Sequence, residues 1–202
     1  VCSSDLVYDA SGTEIYSIRG QVYTKYDNGM SSVAIHPEFP SVPYIYVLYS
    51  RAPQGSEFPG EQGARLERLR VNATGDAVDE VTVLLDNWCV SSANHATGDL
   101  QFGPEGALYL ATGTFATSGQ FNSDCGEPWQ QGGSLKSQDI RTLGDHLWYN
   151  GAMLRLDPLT GAAWATNPLR GGAVDDDPIV AYGLRNPYRL DRKSTRLNSS
   201  HL

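Results

Sequence analysis

His95 is the residue whose type and position in the sequence best suit acid–base catalysis. His95 lies in the polar segment SSANHATGD, and two strand-like runs, residues 99–102 and 107–111, follow it directly. The intervening Gly-Pro-Glu-Gly at 103–106 is a strong turn signal. An imidazole titrates near neutral pH and can accept or donate a proton there. Catalytic groups are often placed on loops held by a rigid sheet, so His95 is the first candidate for catalysis.

The bulk composition bounds the class of protein. The chain has 202 residues, of which 40% are apolar, and this is enough for a sizeable core. Its net charge of −8 and its pI of about 4.9 argue against nucleic acid as a partner. No apolar run approaches the ~20 residues that a membrane-spanning helix needs, so we expect no membrane span.

Both ends of the sequence look foreign to the rest. Residues 191–202 read DRKSTRLNSSHL and residues 1–6 read VCSSDL, and these resemble translations of the two strands of a sequencing adapter. We predict that both segments are adapter-derived and that residues 7–190 are an internal fragment. The alternative for the C-terminal segment is a genuine basic tail.

The cysteines indicate a redox compartment. Without Cys2, two cysteines remain, Cys89 and Cys125, in loops that flank the two central strands. In an acidic chain rich in Gly, Tyr and Ser, this pair predicts one disulfide and an oxidising environment. Two free thiols are the alternative.

The elements that must position His95 are strands. No segment has sustained helical periodicity, and runs of β-branched and aromatic residues recur between turns, so the sequence predicts an all-β fold. Residues 115–150 form a long Gly-rich excursion between strands. Besides the two central strands, the pattern predicts strands at 14–18, 21–26, 32–35, 44–49, 66–71, 81–85, 152–157 and 179–184.

An internal repeat indicates the architecture. The segment VAIHPEF at 33–39, followed by YIYV, matches LQFGPEG at 100–106, followed by ALYL, and the offset from His36 to Gly103 is 67 positions. A recurring four-stranded unit predicts a β-propeller, in which a blade takes ~40–50 residues. The fragment would then hold roughly three blades. Such an open fan has unpaired edges, and we expect it to be unstable alone.

Four blocks in this order resemble the soluble glucose/sorbosone dehydrogenase family, which depends on pyrroloquinoline quinone. They are NGMSSVAIHPEF at 28–39, NHATGDLQFGPEGALYLATG at 94–113, GAMLRLDPLTG at 151–161 and IVAYGLRNPYR at 179–189. The similarity runs from about residue 22 to residue 190. It implies a six-bladed propeller with the quinone on top of the central channel. It also implies bound Ca²⁺, whose ligands belong to later blades, so no metal ligand is assigned here.

The same resemblance implies roles for four residues. His95 matches the catalytic base, which takes the proton of the sugar's anomeric hydroxyl while hydride passes to the quinone. Arg185 matches the arginine beside the quinone oxygens, whose fixed charge stabilises the charge that builds there. Thr114 stands where the family has the Asp that orients the base, and Asp27 stands where it has a Gln. We predict Asp27 and Thr114 on the substrate side.

Other residues with chemical potential are interpreted as structural. His36 precedes a proline in a turn, and the three acids at 175–177 are typical of a solvated loop. His146 has no partner that the sequence identifies. Four tryptophans could stack on a sugar, but packing in core or loops is the preferred interpretation: Trp88, Trp129, Trp148 and Trp164.

Three functions from different classes remain open. The leading hypothesis is a secreted or periplasmic quinoprotein dehydrogenase that acts on aldose-type sugars. The alternative is a non-catalytic binding propeller that recognises a glycan or a protein, and the departures at Ala96, Thr97 and Thr114 motivate it. A propeller lactonase or hydrolase would need a carboxylate-lined metal in the channel, and nothing in the sequence supplies that cluster.

Overall fold

The computed structural model describes residues 5–24, 28–51, 63–86, 88, 94–115, 148–170 and 177–191. These residues form antiparallel strands and no helix, as the sequence predicts. The strands are β1 (Leu6–Tyr8), β2 (Glu14–Ser17), β3 (Met30–Ile35), β4 (Tyr44–Ser50), β5 (Ala64–Val71), β6 (Val78–Leu85), β7 (Thr97–Phe102), β8 (Leu108–Thr112), β9 (Ala152–Leu156) and β10 (Ile179–Tyr182).

The strands make three sheets. The first pairs β1 with β2, the second has the order β3-β4-β5-β6, and the third has the order β10-β9-β8-β7. In the second and third sheets, strands that are consecutive in sequence are neighbours in space, which is the meander of a propeller blade. The fold is a partial β-propeller, and the prediction of roughly three blades is confirmed, although the first sheet has two strands among the described residues.

The predicted repeat appears as two equivalent strands that lie side by side. β3 and β7 are related by the 67-residue offset over their whole length. The Ser32 hydroxyl donates a hydrogen bond of 2.7 Å to Asp99 Oδ1, and these residues are 67 positions apart. Equivalent positions of β3 and β7 therefore meet at the interface between the second and third sheets. We call these two edge strands the inner strands.

The second sheet is buried on both faces because its neighbours cover it. On β4, Tyr46 and Leu48 pack against the third sheet, whereas Val47 and Tyr49 pack against the first. Alternate residues of a strand point to opposite faces, so the apolar run YIYVLY suits a strand between two sheets. The core is thus two apolar layers, one at each interface between sheets.

Most predicted strands are confirmed with shifts of a few residues at their ends, but one is wrong. Gln21 ends a turn, Val22 makes an isolated bridge to Arg51, and residues 23–24 belong to no strand, while the remainder of the predicted strand 21–26 lies outside the described residues. The Ile18 carbonyl accepts bonds from the Gln21 and Val22 amides, which closes the turn. The adapter origin of residues 1–6 and 191–202 stays a prediction.

Among the described residues, no helix has the length and apolarity that crossing a membrane requires.

Candidate active site

The candidate site lies at one end of the third sheet, where β7 and β9 begin and β8 and β10 end. The pairings Thr97–Thr112 and Ala152–Tyr182 place these four strand ends together. We call this edge the site end. His95 precedes β7, Thr114 follows β8 and Arg185 follows β10, so antiparallel pairing brings three predicted site residues to the same edge.

Two successive amides of the chain after β8 connect these residues. The Phe115 amide donates to the His95 carbonyl at 2.9 Å, and the Thr114 amide donates to the Arg185 carbonyl at 3.1 Å. The His95 backbone is in the left-handed region, with φ of 58°, and its side chain is half-buried. The Arg185 side chain is exposed. The imidazole and the guanidinium therefore belong to two loops that one short segment holds together.

Gly113 permits this close approach. Its amide donates to the Ala96 carbonyl at 2.8 Å, and a Cβ built on Gly113 would collide with the carbonyl oxygens of His95 and Ala96. Any larger residue would push the His95 loop away from β8. The glycine in the Ala-Thr-Gly that ends β8 is thus a steric requirement of the site end.

Thr114 is buried and faces the protein. Its hydroxyl donates to the Arg185 carbonyl at 3.4 Å, and its own carbonyl accepts a bond of 3.1 Å from Asn150 Nδ2. Only 3% of the residue is exposed. The structure thus places Thr114 as a link between β8, the start of β9 and the Arg185 loop, and its contact with substrate stays a prediction.

The chain after β10 crosses the whole site end. We call residues 184–191 the return segment. The Leu184 amide donates to the Gly151 carbonyl at 2.9 Å beside β9, and the Arg185 carbonyl meets Thr114 beyond β8. The Pro187 carbonyl then lies so close to Gly98 of β7 that a Cβ there would collide with it. The return segment therefore crosses the end of the third sheet from its β10 edge to its β7 edge.

Asp99 holds the far end of the return segment. Its Oδ2 accepts a bond of 3.1 Å from the Leu190 amide, while Oδ1 accepts from the Ser32 hydroxyl. Only 4% of Asp99 is exposed. Burial alone would raise the pKa of this carboxyl, but its hydrogen bonds, led by that from Ser32, outweigh burial and lower the pKa below its ordinary value.

Trp88 packs against residues that form the site end. It is fully buried, its Nε1 donates to the Thr112 hydroxyl at 3.2 Å, and its ring meets the Tyr149 ring edge-on at 5.8 Å. The Thr112 hydroxyl in turn donates to the Tyr149 carbonyl at 2.8 Å. This agrees with the interpretation of Trp88 as a packing residue.

His36 also agrees with its structural interpretation. It follows β3 at the opposite end of its strand from the site end. Its Nδ1 accepts a bond of 3.2 Å from the Glu38 amide, and its ring lies edge-on to Phe102 at 5.4 Å.

Several predicted residues lie outside the described part of the chain, so their sites stay predictions. They are Asp27, Cys89, Cys125, Trp129, His146, Asp175 and Asp176.

The comparisons with known proteins bear on identity. The sequence profile of the family described as Glucose / Sorbosone dehydrogenase matches residues 6–200. The chain belongs to the glucose/sorbosone dehydrogenase family. The resemblance inferred from the four sequence blocks is therefore confirmed.

Relatives within the family set the scale of the match. The chain is 29% identical to quinoprotein glucose dehydrogenase B of Acinetobacter calcoaceticus over 169 residues. This aligned region covers 81% of this chain and 33% of that protein. The soluble aldose sugar dehydrogenase of Escherichia coli superposes with a TM-score of 0.62 at 21% identity, over 90% of this chain and 45% of that one. The aldose sugar dehydrogenase of Streptomyces coelicolor, solved in its PQQ-bound form, gives 0.59 at 23%, over 89% and 44%. The chain thus spans a third to a half of these relatives.

The donor set at the site end fits a planar anionic quinone. Arg185 offers an exposed guanidinium, whose fork of N–H groups suits carboxylate and quinone oxygens, and His95 adds an imidazole from the neighbouring loop. No metal ligand is assigned, since the described residues contain no group of three His, Cys, Asp or Glu side chains that could hold a metal ion.

Sequence reasoning missed three residues of this site. They are Ser32, Asp99 and Asn150, all of which hold other parts of the site end. The repeat carried a signal for the first two, because Ser32 and Asp99 occupy equivalent positions on adjacent inner strands. No sequence signal identified Asn150.

Proposed function

We propose that the complete protein carrying this chain is a quinoprotein sugar dehydrogenase that oxidises an aldose-type sugar at its anomeric carbon. Membership of the glucose/sorbosone dehydrogenase family supports this proposal. The observation that carries it is the pair of adjacent amides, Thr114 and Phe115, which bind the carbonyls of Arg185 and His95. An acid–base group and a fixed cation are thereby kept at one sheet end.

The reaction removes two hydrogens from one carbon–oxygen unit of the sugar. When bound, pyrroloquinoline quinone supplies the acceptor for the hydride that leaves the anomeric carbon. His95 accepts the proton of the anomeric hydroxyl, so that the C–O bond becomes a carbonyl and the product is a lactone. Proton removal by a positioned base typically accelerates such a step by about 10²–10⁴-fold.

Arg185 has the complementary role. Its guanidinium binds oxygens that gain negative charge during the reaction. Two backbone anchors fix its position, since its carbonyl accepts from Thr114 and the neighbouring Leu184 amide donates to Gly151. Calcium ligands are expected outside this chain.

The test uses the complete protein loaded with pyrroloquinoline quinone and Ca²⁺. We expect it to reduce a dye with one or more aldoses from a broad panel. His95→Gln should lower kcat by about 10²–10⁴-fold. His36→Gln is the matched control, because His36 lies away from the site end, and it should keep kcat. Absence of dye reduction with every sugar tested would remove the enzymatic proposal.

One observation favours a second candidate, a non-catalytic propeller that binds a glycan or a protein. Thr114 cannot stabilise an imidazolium by charge as a carboxylate does, and its hydroxyl is directed at the Arg185 carbonyl. Titration of the quinone into the complete protein separates the candidates. Tight uptake favours the dehydrogenase, whereas no uptake together with retained glycan or protein binding favours the binding propeller.

We further infer a secreted or periplasmic location and a Cys89–Cys125 disulfide. The basis is the presence of two loop cysteines in an acidic chain with a relative named as a glucose dehydrogenase. Thiol titration of the unfolded chain tests it. One reactive thiol, from Cys2, is expected without reductant and three with it, while three under both conditions would contradict the disulfide.

A further inference from the structure

Asp99 is a buried carboxylate with no part in the proposed proton transfer, yet it contacts the segment that carries Arg185. Its position on the inner strand β7 is the one that Ser32 occupies on β3. A buried carboxylate must be matched by hydrogen bonds, or its burial is costly. The identity of its partners therefore shows what Asp99 holds in place.

The partners come from three parts of the chain. From β3, the Ser32 hydroxyl donates at 2.7 Å; from β7, the Leu100 amide donates at 3.0 Å and Gln101 Nε2 at 3.3 Å. From the return segment, the Leu190 amide donates at 3.1 Å. Arg189, also on the return segment, has its guanidinium 3.9 Å from Asp99 Oδ1 with its side chain largely exposed, so this ion pair adds little.

The return segment has fixed points at both ends. Near β9 and β8 it is held by the bonds of Leu184 and Arg185, and near β7 by Asp99. Gly98 leaves room for the Pro187 carbonyl between these points. Arg185 lies five residues before Leu190, so release of the Asp99 anchor leaves the segment after Arg185 without its second fixed point, and only the bonds of Leu184 and Arg185 then hold the guanidinium loop.

We propose that Asp99 is a positioning residue for Arg185, which fixes the return segment across β7 and thereby sets where the guanidinium stands over the site end. This inference rests on the proposed function for its consequence, the affinity for the quinone. It does not rest on that function for the anchoring itself, and the two can be measured separately.

The first measurement is hydrogen exchange of the complete protein without cofactor, followed by mass spectrometry. Asp99→Asn removes one acceptor oxygen, so exchange in peptides covering 184–191 should be at least roughly tenfold faster, while peptides covering β9 stay unchanged. Asp79→Asn, an exposed carboxylate on β6 that pairs with Arg70 at 3.8 Å, is the matched control. Unchanged exchange at 184–191 overturns the proposal.

The second measurement is the affinity for pyrroloquinoline quinone, read by absorbance titration. Asp99→Asn should weaken it roughly tenfold, the usual scale for residues that orient a ligand-binding group. In the Arg185→Ala background, the same substitution should have no further effect, because Asp99 acts through that guanidinium. Equal losses in both backgrounds would show a general structural effect and overturn the proposal.

A gentler variant keeps the test decisive if Asp99→Asn does not fold. Ser32→Ala removes one donor from the carboxylate and leaves the Leu190 bond in place, so the same two changes should appear with smaller size. If the protein binds no quinone at all, the proposed function fails. Faster exchange at 184–191 would then still show the anchor.

Discussion

The second and third sheets are copies of one unit, and among the residues that the structure describes a candidate site lies only at the end of the third. Their ladders are equivalent in detail: the Ser50 amide donates to the Gly29 carbonyl at 2.9 Å, and the Gly113 amide donates to the Ala96 carbonyl at 2.8 Å. The pairings of Met30 with Tyr49 and of Thr97 with Thr112 fix this correspondence. The two sheets differ at this last hydrogen-bonded position, which Ser50 occupies in one and Gly113 in the other.

At that position, the third sheet is the more crowded. A side chain fits at Ser50, whereas a Cβ at the equivalent Gly113 would strike the His95 carbonyl. The left-handed backbone of His95 directs its carbonyl towards the Phe115 amide. The repeat thus supplies a scaffold, and within the described residues the close contact of Gly113 with the His95 loop distinguishes the third sheet.

The two faces of the second sheet offer a parallel contrast, since each interface between sheets buries one carboxylate. On one face, Glu67 accepts bonds of 2.8 Å from the hydroxyls of Tyr16 and Tyr49. Burial first, and then Glu67, raises the pKa of both phenols. On the other face, Asp99 binds Ser32 and the return segment. Glu67 joins two sheets only, whereas Asp99 joins two sheets and the site.

The largest effect on stability is expected from Glu67→Ala. The substitution removes the 2.8 Å acceptor of the buried Tyr49 hydroxyl and of the half-buried Tyr16 hydroxyl, so we expect the free energy of unfolding to fall by about 2–4 kcal/mol. Quinone affinity should be kept, because Glu67 has no contact with the site end. Denaturant unfolding and quinone titration of the complete protein provide the two readings.

Glu80→Ala is the control for this prediction. Glu80 lies on the exposed face of β6 and pairs with Arg70 at 3.2 Å, so its loss should change stability by no more than about 0.5 kcal/mol. Equal destabilisation by both substitutions would contradict the assignment of Glu67 as the link between the first two sheets.

The next largest effect is expected at Gly113, whose counterpart in the second sheet is Ser50. Gly113→Ala forces a Cβ against the His95 and Ala96 carbonyls, and overpacking of this kind costs about 1–3 kcal/mol. Because the clash moves the His95 loop, kcat should fall as well. Thermal unfolding and steady-state dye reduction of the complete protein measure the two consequences.

Ser50→Ala is the matched substitution in the second sheet. Within the described part of the chain, the buried Ser50 hydroxyl has no hydrogen-bond partner, so its removal should be neutral or slightly stabilising. If Gly113→Ala were as harmless as Ser50→Ala, the steric account of the site end would be wrong.

The scaffold was readable from the sequence because its signals are local. Alternating and aromatic runs predicted β3 and β4, the turn signals bounded β7 and β8, and the 67-residue offset predicted the repeated sheets. The strand predicted at 21–26 was wrong in its described part, where the Ile18 carbonyl closes a turn, since a short run with β-branched and aromatic residues cannot distinguish a strand from a turn.

The site was harder to predict from the sequence because it depends on contacts between residues that are far apart in the chain. The resemblance to a family, rather than periodicity, indicated that His95 and Arg185 belong together. The positive φ of His95 is unusual for a residue other than glycine and has no marker in the sequence. Likewise, the bond between Asp99 and Leu190 spans 91 positions, and only the folded path of the return segment brings them together.

The smallest expected effect is a pH dependence of stability that comes from Asp99 on β7 and has no counterpart at Ser32 on β3. Asp99 carries a titratable group where β3 has the neutral Ser32. Since the folded-state pKa of Asp99 lies below its unfolded value near 3.8, its contribution to stability is fully present above that value and is lost as the pH falls through the folded pKa. We therefore expect wild type and Asp99→Asn to differ in unfolding midpoint at neutral pH and to converge at acid pH.

Denaturant midpoints of the complete protein, measured in steps from neutral pH to about pH 3, test this convergence. Asp79→Asn should follow the wild-type curve throughout, because its exposed carboxylate is only loosely paired. A difference between wild type and Asp99→Asn that stays constant over the whole range would mean that the shape of the side chain matters and its charge does not. The contrast between the charged anchor on β7 and the neutral residue on β3 would then have no electrostatic meaning.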